Sequence, residues 1–269
     1  MSPIPSPGHV LDRLLLQVRI VVALAHRDIL LKAGKKGMGL FGVFLEPMFL
    51  VATLLLLRIF LRQAGGNEHM SALLWLSTGF ISFFMFSDVA IKALNGVNKN
   101  SDLFFYQRIR PLDTLLASVW MNTQIYGMLL LVITTIDSAM RWQPSFQEPG
   151  LAIFYLLFVP VLGFGMGLST LILGHRLPIL STLLKVLLRR VMIFTSCTFF
   201  PISMIPEPAR PVILWNPLAH GIELIRHAAN PHYPIPGISA TYFILCTIAS
   251  AGVGLFIYSN NEDLLNAID

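Results

Sequence analysis

LAIFYLLFVPVLGFGMGLSTLIL, residues 151–173, carries no charged side chain and is long enough to cross a lipid bilayer. A span needs about 20 mostly apolar residues. Ile238–Ser259 is equally free of charge. Outward from these two lie four more candidates: Leu40–Leu61, Ala72–Ala93, Leu112–Ile136 and Val186–Met204. The last is the least regular, because Lys185, Arg189 and Arg190 crowd its start and Pro201 lies inside it. A proline there is tolerated only when neighbouring helices or water replace the lost hydrogen bond. None of the connections is large enough to be a folded catalytic domain. Composition agrees: 55% of residues are hydrophobic and 12% charged, and mean hydropathy is +0.71. The periodicity is helical, without the alternation of a barrel. The expected fold is an all-α integral membrane protein with six transmembrane helices. Residues 1–39 form a cytoplasmic N-terminal region and residues 40–269 a single transmembrane domain. Met1–Gly8 is polar and proline-rich, so no cleavable signal is expected.

Lysine and arginine set the direction. One side carries Arg13, Arg19, Arg27, Lys32, Lys35, Lys36, Lys92, Lys99, Arg108, Arg110, Arg176, Lys185, Arg189 and Arg190; the other carries Arg58, Arg62, Arg141, Arg210 and Arg226. The excess places both termini in the cytoplasm. The net charge of +5 then reports topology, and no nucleic-acid partner is expected. Cys197 and Cys246 lack any ligand spacing and read as packing residues.

Between the spans, Leu11–Lys32 reads as an amphipathic interface helix. Its apolar face is Leu11, Leu15, Val18, Val22, Ala25 and Ile29, and Leu16, Ile20 and Leu24 interrupt the polar side. Asn95–Pro111 holds a short aromatic knob, Leu103, Phe104, Phe105 and Tyr106, flanked by Arg108 and Arg110. It either packs under the bundle's own rim or enters a partner. Ile205–Gly237 contains seven prolines around two apolar stretches, Val212–Trp215 and Leu218–Ala228, both too short to span. That pattern predicts re-entrant helices buried by protein.

Ionisable groups at membrane depth are costly and face protein or water. Glu46 precedes Pro47 in the first span; Asp88 and Lys92 are one turn apart and able to neutralise each other; Arg58 either snorkels to the surface or lines a path for an anion. There is no phosphate loop, since GKKG at Gly34–Gly37 lacks its spacing and hydroxyl. His220, Glu223 and His227 share a helical face but miss the zinc-protease patterns, so no metal is expected. No nucleophile–base pair is visible. The chain is not expected to be an enzyme by itself or to hold a cofactor.

Four stretches carry a family resemblance: FLEP at Phe44–Pro47, LFFYQRIRPLDTLLA at Leu103–Ala117, TSCTFFPISMIP at Thr195–Pro206 and LWNPLAHGIELIRHAANPHY at Leu214–Tyr233. With these the whole chain resembles the membrane subunit of bacterial capsular-polysaccharide ABC exporters, the KpsM-like group of ABC-2 permeases. The resemblance implies a homodimer in the inner membrane, worked by two separate ATPase subunits that bind ATP and magnesium. It also implies a lipid-linked acidic polysaccharide as cargo, and a periplasmic adaptor (co-polymerase) and an outer-membrane exporter as partners. Leu103, Phe104, Phe105, Tyr106, Arg108 and Arg110 become the ATPase-coupling or cytoplasmic gate segment. Trp215, Asn216, Pro217, His220, Glu223 and Arg226 become periplasmic gate candidates. Aromatic rings can guide sugars weakly, which makes Trp75, Phe83, Phe84, Phe86 and Tyr126 channel candidates, with Arg58 and Lys92 as cations for the substrate's carboxylates. Glu46 and Asp88 remain intramembrane charges. Alternatives are an O-antigen or teichoic-acid permease, a secondary transporter, or a membrane enzyme acting on lipid-linked sugars.

Overall fold

The computed structural model describes residues 70–95 and 111–261 without interruption, together with Arg19, residues 21–24, Arg27, Phe49, residues 52–53 and Leu56. Among the described residues the backbone is helix and turn, with no strand. Eight helices follow one another among the described residues from 70 onward: α1 (Ala72–Leu94), α2 (Pro111–Arg141), α3 (Pro149–Arg176), α4 (Pro178–Val186), α5 (Met192–Thr195), α6 (Arg210–Leu214), α7 (Pro217–Ala229) and α8 (Ala240–Asn260). A π-turn, Leu187–Val191, joins α4 to α5, and a 3-10 turn, Ile202–Met204, precedes α6. Helices α1, α2, α3 and α8 are long and apolar enough to cross a membrane. They fall on four of the six expected spans.

Local chemistry explains the boundaries. The Ser71 hydroxyl accepts the Leu74 N–H at 3.1 Å and opens α1; the Ser239 hydroxyl accepts the Tyr242 N–H at 3.3 Å and opens α8. Helices α3, α4 and α7 each begin with proline in their first turn, where its missing N–H is not needed. Pro178 also forces Leu177 into an extended conformation (φ −131°, ψ 97°), which separates α3 from α4.

The fifth expected span needs correcting. The helical run covers Pro178–Thr195 rather than Val186–Met204. Pro178 starts it early. It ends because Cys197 takes a left-handed conformation, φ 57°, just before Pro201, which cannot continue a helix. The first expected span is helical at Phe49, residues 52–53 and Leu56; its remainder, with Glu46 and Arg58, lies outside the described residues. So do Leu103, Phe104, Phe105, Tyr106, Arg108 and Arg110.

The N-terminal segment is helical at Arg19, residues 21–24 and Arg27. Within it Leu24 is buried and Val22 half exposed.

The centre of the described fold is α3, held between α1 and α8 by glycines. A Cβ on Gly163 would lie 2.5 Å from the Phe86 carbonyl oxygen, and one on Gly167 2.4 Å from that of Ala90, so these two, four residues apart, seat α1 directly on α3. A Cβ on Gly165 would meet the Ala251 nitrogen at 2.4 Å, and one on Gly254 would meet the Gly165 oxygen at 2.7 Å, which does the same for α8. Such backbone contact replaces the hydrophobic drive that is missing between helices in lipid. Phe83, Phe86, Val159, Leu162, Ile222, Ile225 and Phe243 fill the core where α1, α3, α7 and α8 meet.

Candidate functional site

The short helix α7 is the unusual element. It has only 13 residues, yet it is buried on nearly every side, from Leu218 through Ala229. Asn216 caps it, its side-chain oxygen accepting the Leu218 N–H at 3.0 Å, while its side-chain nitrogen donates to Thr195 Oγ1 at 3.1 Å. The cap thus ties α7 to the end of α5. These helical stretches lie where the sequence predicts them, with α6 at Arg210–Leu214 and α7 at Pro217–Ala229.

One turn apart on α7, Glu223 and Arg226 are both fully enclosed. Arg226 Nη1 donates to Glu223 Oε1 at 2.7 Å and to the Cys197 carbonyl at 2.7 Å. Nη2 donates to the carbonyls of Trp75, at 3.2 Å, and Thr198, at 3.3 Å. The guanidinium carbon lies 4.0 Å from the centroid of the Trp75 ring, a cation–π contact. The Tyr233 hydroxyl donates to Glu223 Oε1 at 3.3 Å and accepts from Trp75 Nε1 at 3.3 Å. One planar fork therefore joins α1, α7 and the bend after α5. Gly79 makes the room: a Cβ there would stand 2.4 Å from Nη2 and 3.1 Å from the Thr198 oxygen.

His220, on the same helix, joins three elements in another way. Its Nε2 faces the Leu214 carbonyl oxygen at 2.9 Å, and its Nδ1 faces the backbone N–H of Ser239 at 2.9 Å. A carbonyl only accepts and an N–H only donates, so the ring is neutral with its proton on Nε2. Burial works in the same direction, pushing the imidazole below the ordinary histidine range. His227 turns its Nδ1 to the Tyr233 carbonyl at 3.0 Å, so the two histidines serve separate backbone partners. Among the described residues no group of three metal-ligating side chains comes together.

Two further polar nodes lie away from α7. Asp88 accepts from the Tyr126 hydroxyl at 2.6 Å and faces Arg189 Nη1 at 4.0 Å; the π-turn carries that arginine. Lys92 is half-buried. Near the other end of the bundle, Asp137 accepts from Arg141 (2.8 Å), Ser145 (2.7 Å) and Ser71, tying the end of α2 to the start of α1 and to the turn before α3.

The expected site residues are thus dispersed. Trp75, Phe83, Phe86 and Tyr126 are buried within the chain and Phe84 is half-buried, whereas Trp215 is 83% exposed. Asn216, His220, Glu223 and Arg226 are buried around α7, and Pro217 is half-buried. Sequence reading missed Gly79, Tyr233, Asp137 and the carbonyls of Cys197 and Thr198. The i, i+4 spacing of Asp137 and Arg141 was a usable signal for one of them. The others meet only through the fold.

The model of the ABC-2 type transporter family matches residues 20–229. The chain is 31% identical over 251 residues to the polysialic acid transport protein KpsM of Escherichia coli, covering 91% of this chain and 94% of that protein. It is 22% identical to the capsule polysaccharide export inner-membrane protein BexB of Haemophilus influenzae, covering 92% of each. The capsule polysaccharide export inner-membrane protein CtrC of Neisseria meningitidis is 24% identical, with 92% and 93% covered.

Proposed function

We propose, since this chain belongs to the ABC-2 type transporter family, that it is the membrane subunit of an exporter that moves capsular polysaccharide across the bacterial inner membrane. The observation that carries this reading is the similarity, along nine-tenths of the chain, to proteins named for polysialic acid transport and capsule polysaccharide export. The cargo is an acidic, lipid-linked glycan and passes between two copies of the chain. The sequence has no phosphate loop, so a separate ATPase supplies the energy and binds ATP and magnesium.

Six spans place both termini in the cytoplasm, with the first and fifth spans completing the four long helices. Residues 205–237 dip back into the membrane from the periplasmic side and form an outer gate. Burial of the short helix α7 supports this, because a helix of 13 residues is too short to cross and finds its partners in protein. The knob Leu103–Tyr106, with Arg108 and Arg110, receives the push from the ATPase. A periplasmic adaptor and an outer-membrane exporter continue the path. Arg58 and Lys92 balance carboxylates of the cargo, and aromatic faces guide its sugars.

The test is genetic complementation followed by reconstitution. The chain, expressed in a strain lacking its own capsule-export permease, restores surface polysaccharide only when the cognate ATPase is present. Vesicles holding both proteins release glycan on addition of ATP; vesicles holding the chain alone do not. Release without the ATPase would overturn the reading.

A further inference from the structure

The Arg226 fork has a geometry that tight packing alone does not require. Its four acceptors come from three separate places: Glu223 on α7, Trp75 on α1, and the consecutive carbonyls of Cys197 and Thr198. Those two carbonyls belong to the bend where the fifth helical run stops. Cys197 holds a left-handed backbone there, φ 57°, a conformation that persists in a residue other than glycine only when its surroundings impose it. A buried ion pair adds little net stability over an apolar cluster of the same volume. An apolar cluster could not hold the bend in register, because only a planar fork reaches four acceptors at once.

The fifth run sends Leu188 and Met192 into the core that α1, α3, α7 and α8 build. Helices α1, α3 and α8 touch backbone to backbone through Gly163, Gly165, Gly167 and Gly254. The fifth run presents Ile179, Leu183, Leu187, Val191 and Phe194 outward and carries the π-turn. The chain leaves this run through the bend at Cys197.

We infer that Arg226 is a positioning residue for transport: its guanidinium latches the bend at Cys197 and Thr198 to α1 and α7, and Gly79 is the gap that admits it. The role in transport rests on the exporter reading; the latch itself does not. Lysine at 226 keeps the charge but brings one nitrogen where the fork brings two. Alanine at 79 leaves Arg226 in place but pushes a methyl group into Nη2. Both changes free the bend.

The native cysteines report on this. Cys197 is buried and Cys246 partly exposed. The full chain, in membranes with its ATPase, is treated with a membrane-permeant maleimide, and labelling of each cysteine is followed by peptide mass spectrometry. Arg226→Lys and Gly79→Ala raise the Cys197 labelling rate by about ten-fold, the population change that loss of one charge-assisted hydrogen bond produces. Cys246 stays constant in every sample. Gly127→Ala, at a position where a Cβ meets nothing within 4 Å, leaves both cysteines unchanged. Slow Cys197 labelling in both variants overturns the latch. Should Arg226→Lys not accumulate, Gly79→Ala decides alone; if neither accumulates, Arg226 serves folding only and the inference is overturned. Export is measured in the same cells. Full export by a variant whose Cys197 has become reactive refutes the transport role. Failure of the unaltered chain to export refutes the exporter reading and leaves the labelling result standing.

Discussion

His220 on α7 and Ser239, the cap before α8, lie 19 residues apart, and the imidazole Nδ1 accepts the Ser239 backbone N–H at 2.9 Å. The acceptor role requires a neutral ring. The residue that starts α8 is therefore fixed by a side chain of α7, and the same ring reaches back to Leu214 at the end of α6.

The bond has a pH consequence. Burial lowers the folded pKa of His220, while the unfolded chain protonates near the ordinary value of about 6.5. The unfolded state thus binds more protons as pH falls below that value, and stability declines down to the folded pKa. Above about 6.5 the contribution is complete. Thermal unfolding in detergent at pH 7.5 and pH 5.5 should show a larger acid-side loss for the parent than for His220→Gln. Equal losses would mean that His220 is not held neutral.

Gly163 is a point of direct helix contact. Gly163→Ala forces a methyl group toward the Phe86 carbonyl and should destabilise the protein by about 1–3 kcal/mol. Gly252→Ala, where a Cβ meets nothing within 4 Å, should be neutral or slightly stabilising, because alanine favours helix. Melting curves of the two variants check the contrast, and equal effects would count against close α1–α3 packing.

Asp137 is 3% exposed and serves three donors. Asp137→Asn removes the charged acceptor and should cost about 1–3 kcal/mol. Arg141 is more exposed, with 34% of its side chain accessible, so Arg141→Gln should cost less than about 1 kcal/mol. Chemical denaturation of both variants measures the difference; a larger loss for Arg141→Gln would reverse the assignment of Asp137 as the hub.

Phe105→Ala addresses the expected ATPase-coupling knob. If that segment docks the partner, the variant still inserts in the membrane but recovers less ATPase on co-purification and exports less polysaccharide. Unchanged recovery and export would remove the coupling role from this segment.

Four spans were legible because each is a continuous apolar run bounded by serine or proline; Ala72–Ala93 against the observed Ala72–Leu94 is the plainest example. The fifth was misplaced by eight residues at its start, because hydropathy does not register that Pro178 opens a helix or that Cys197 ends one. Around α7 the sequence pointed to Glu223 and Arg226 as a possible gate. Apart from each other, their partners lie between 10 and 151 residues away along the chain. Asp88 also meets Tyr126 and Arg189 from other helices, which no spacing along the chain announces.

The sequence alone determined that this is a helical membrane protein, where its clearest spans lie and where a short proline-flanked helix interrupts the pattern. Those properties follow from local hydropathy, caps and proline stereochemistry, which act within a few residues. Only the tertiary structure decided that glycines of α3 seat two other helices, that Gly79 opens a gap, and that the Arg226 guanidinium fills it. These depend on atoms brought together across the chain, and no local pattern encodes a distance between helices.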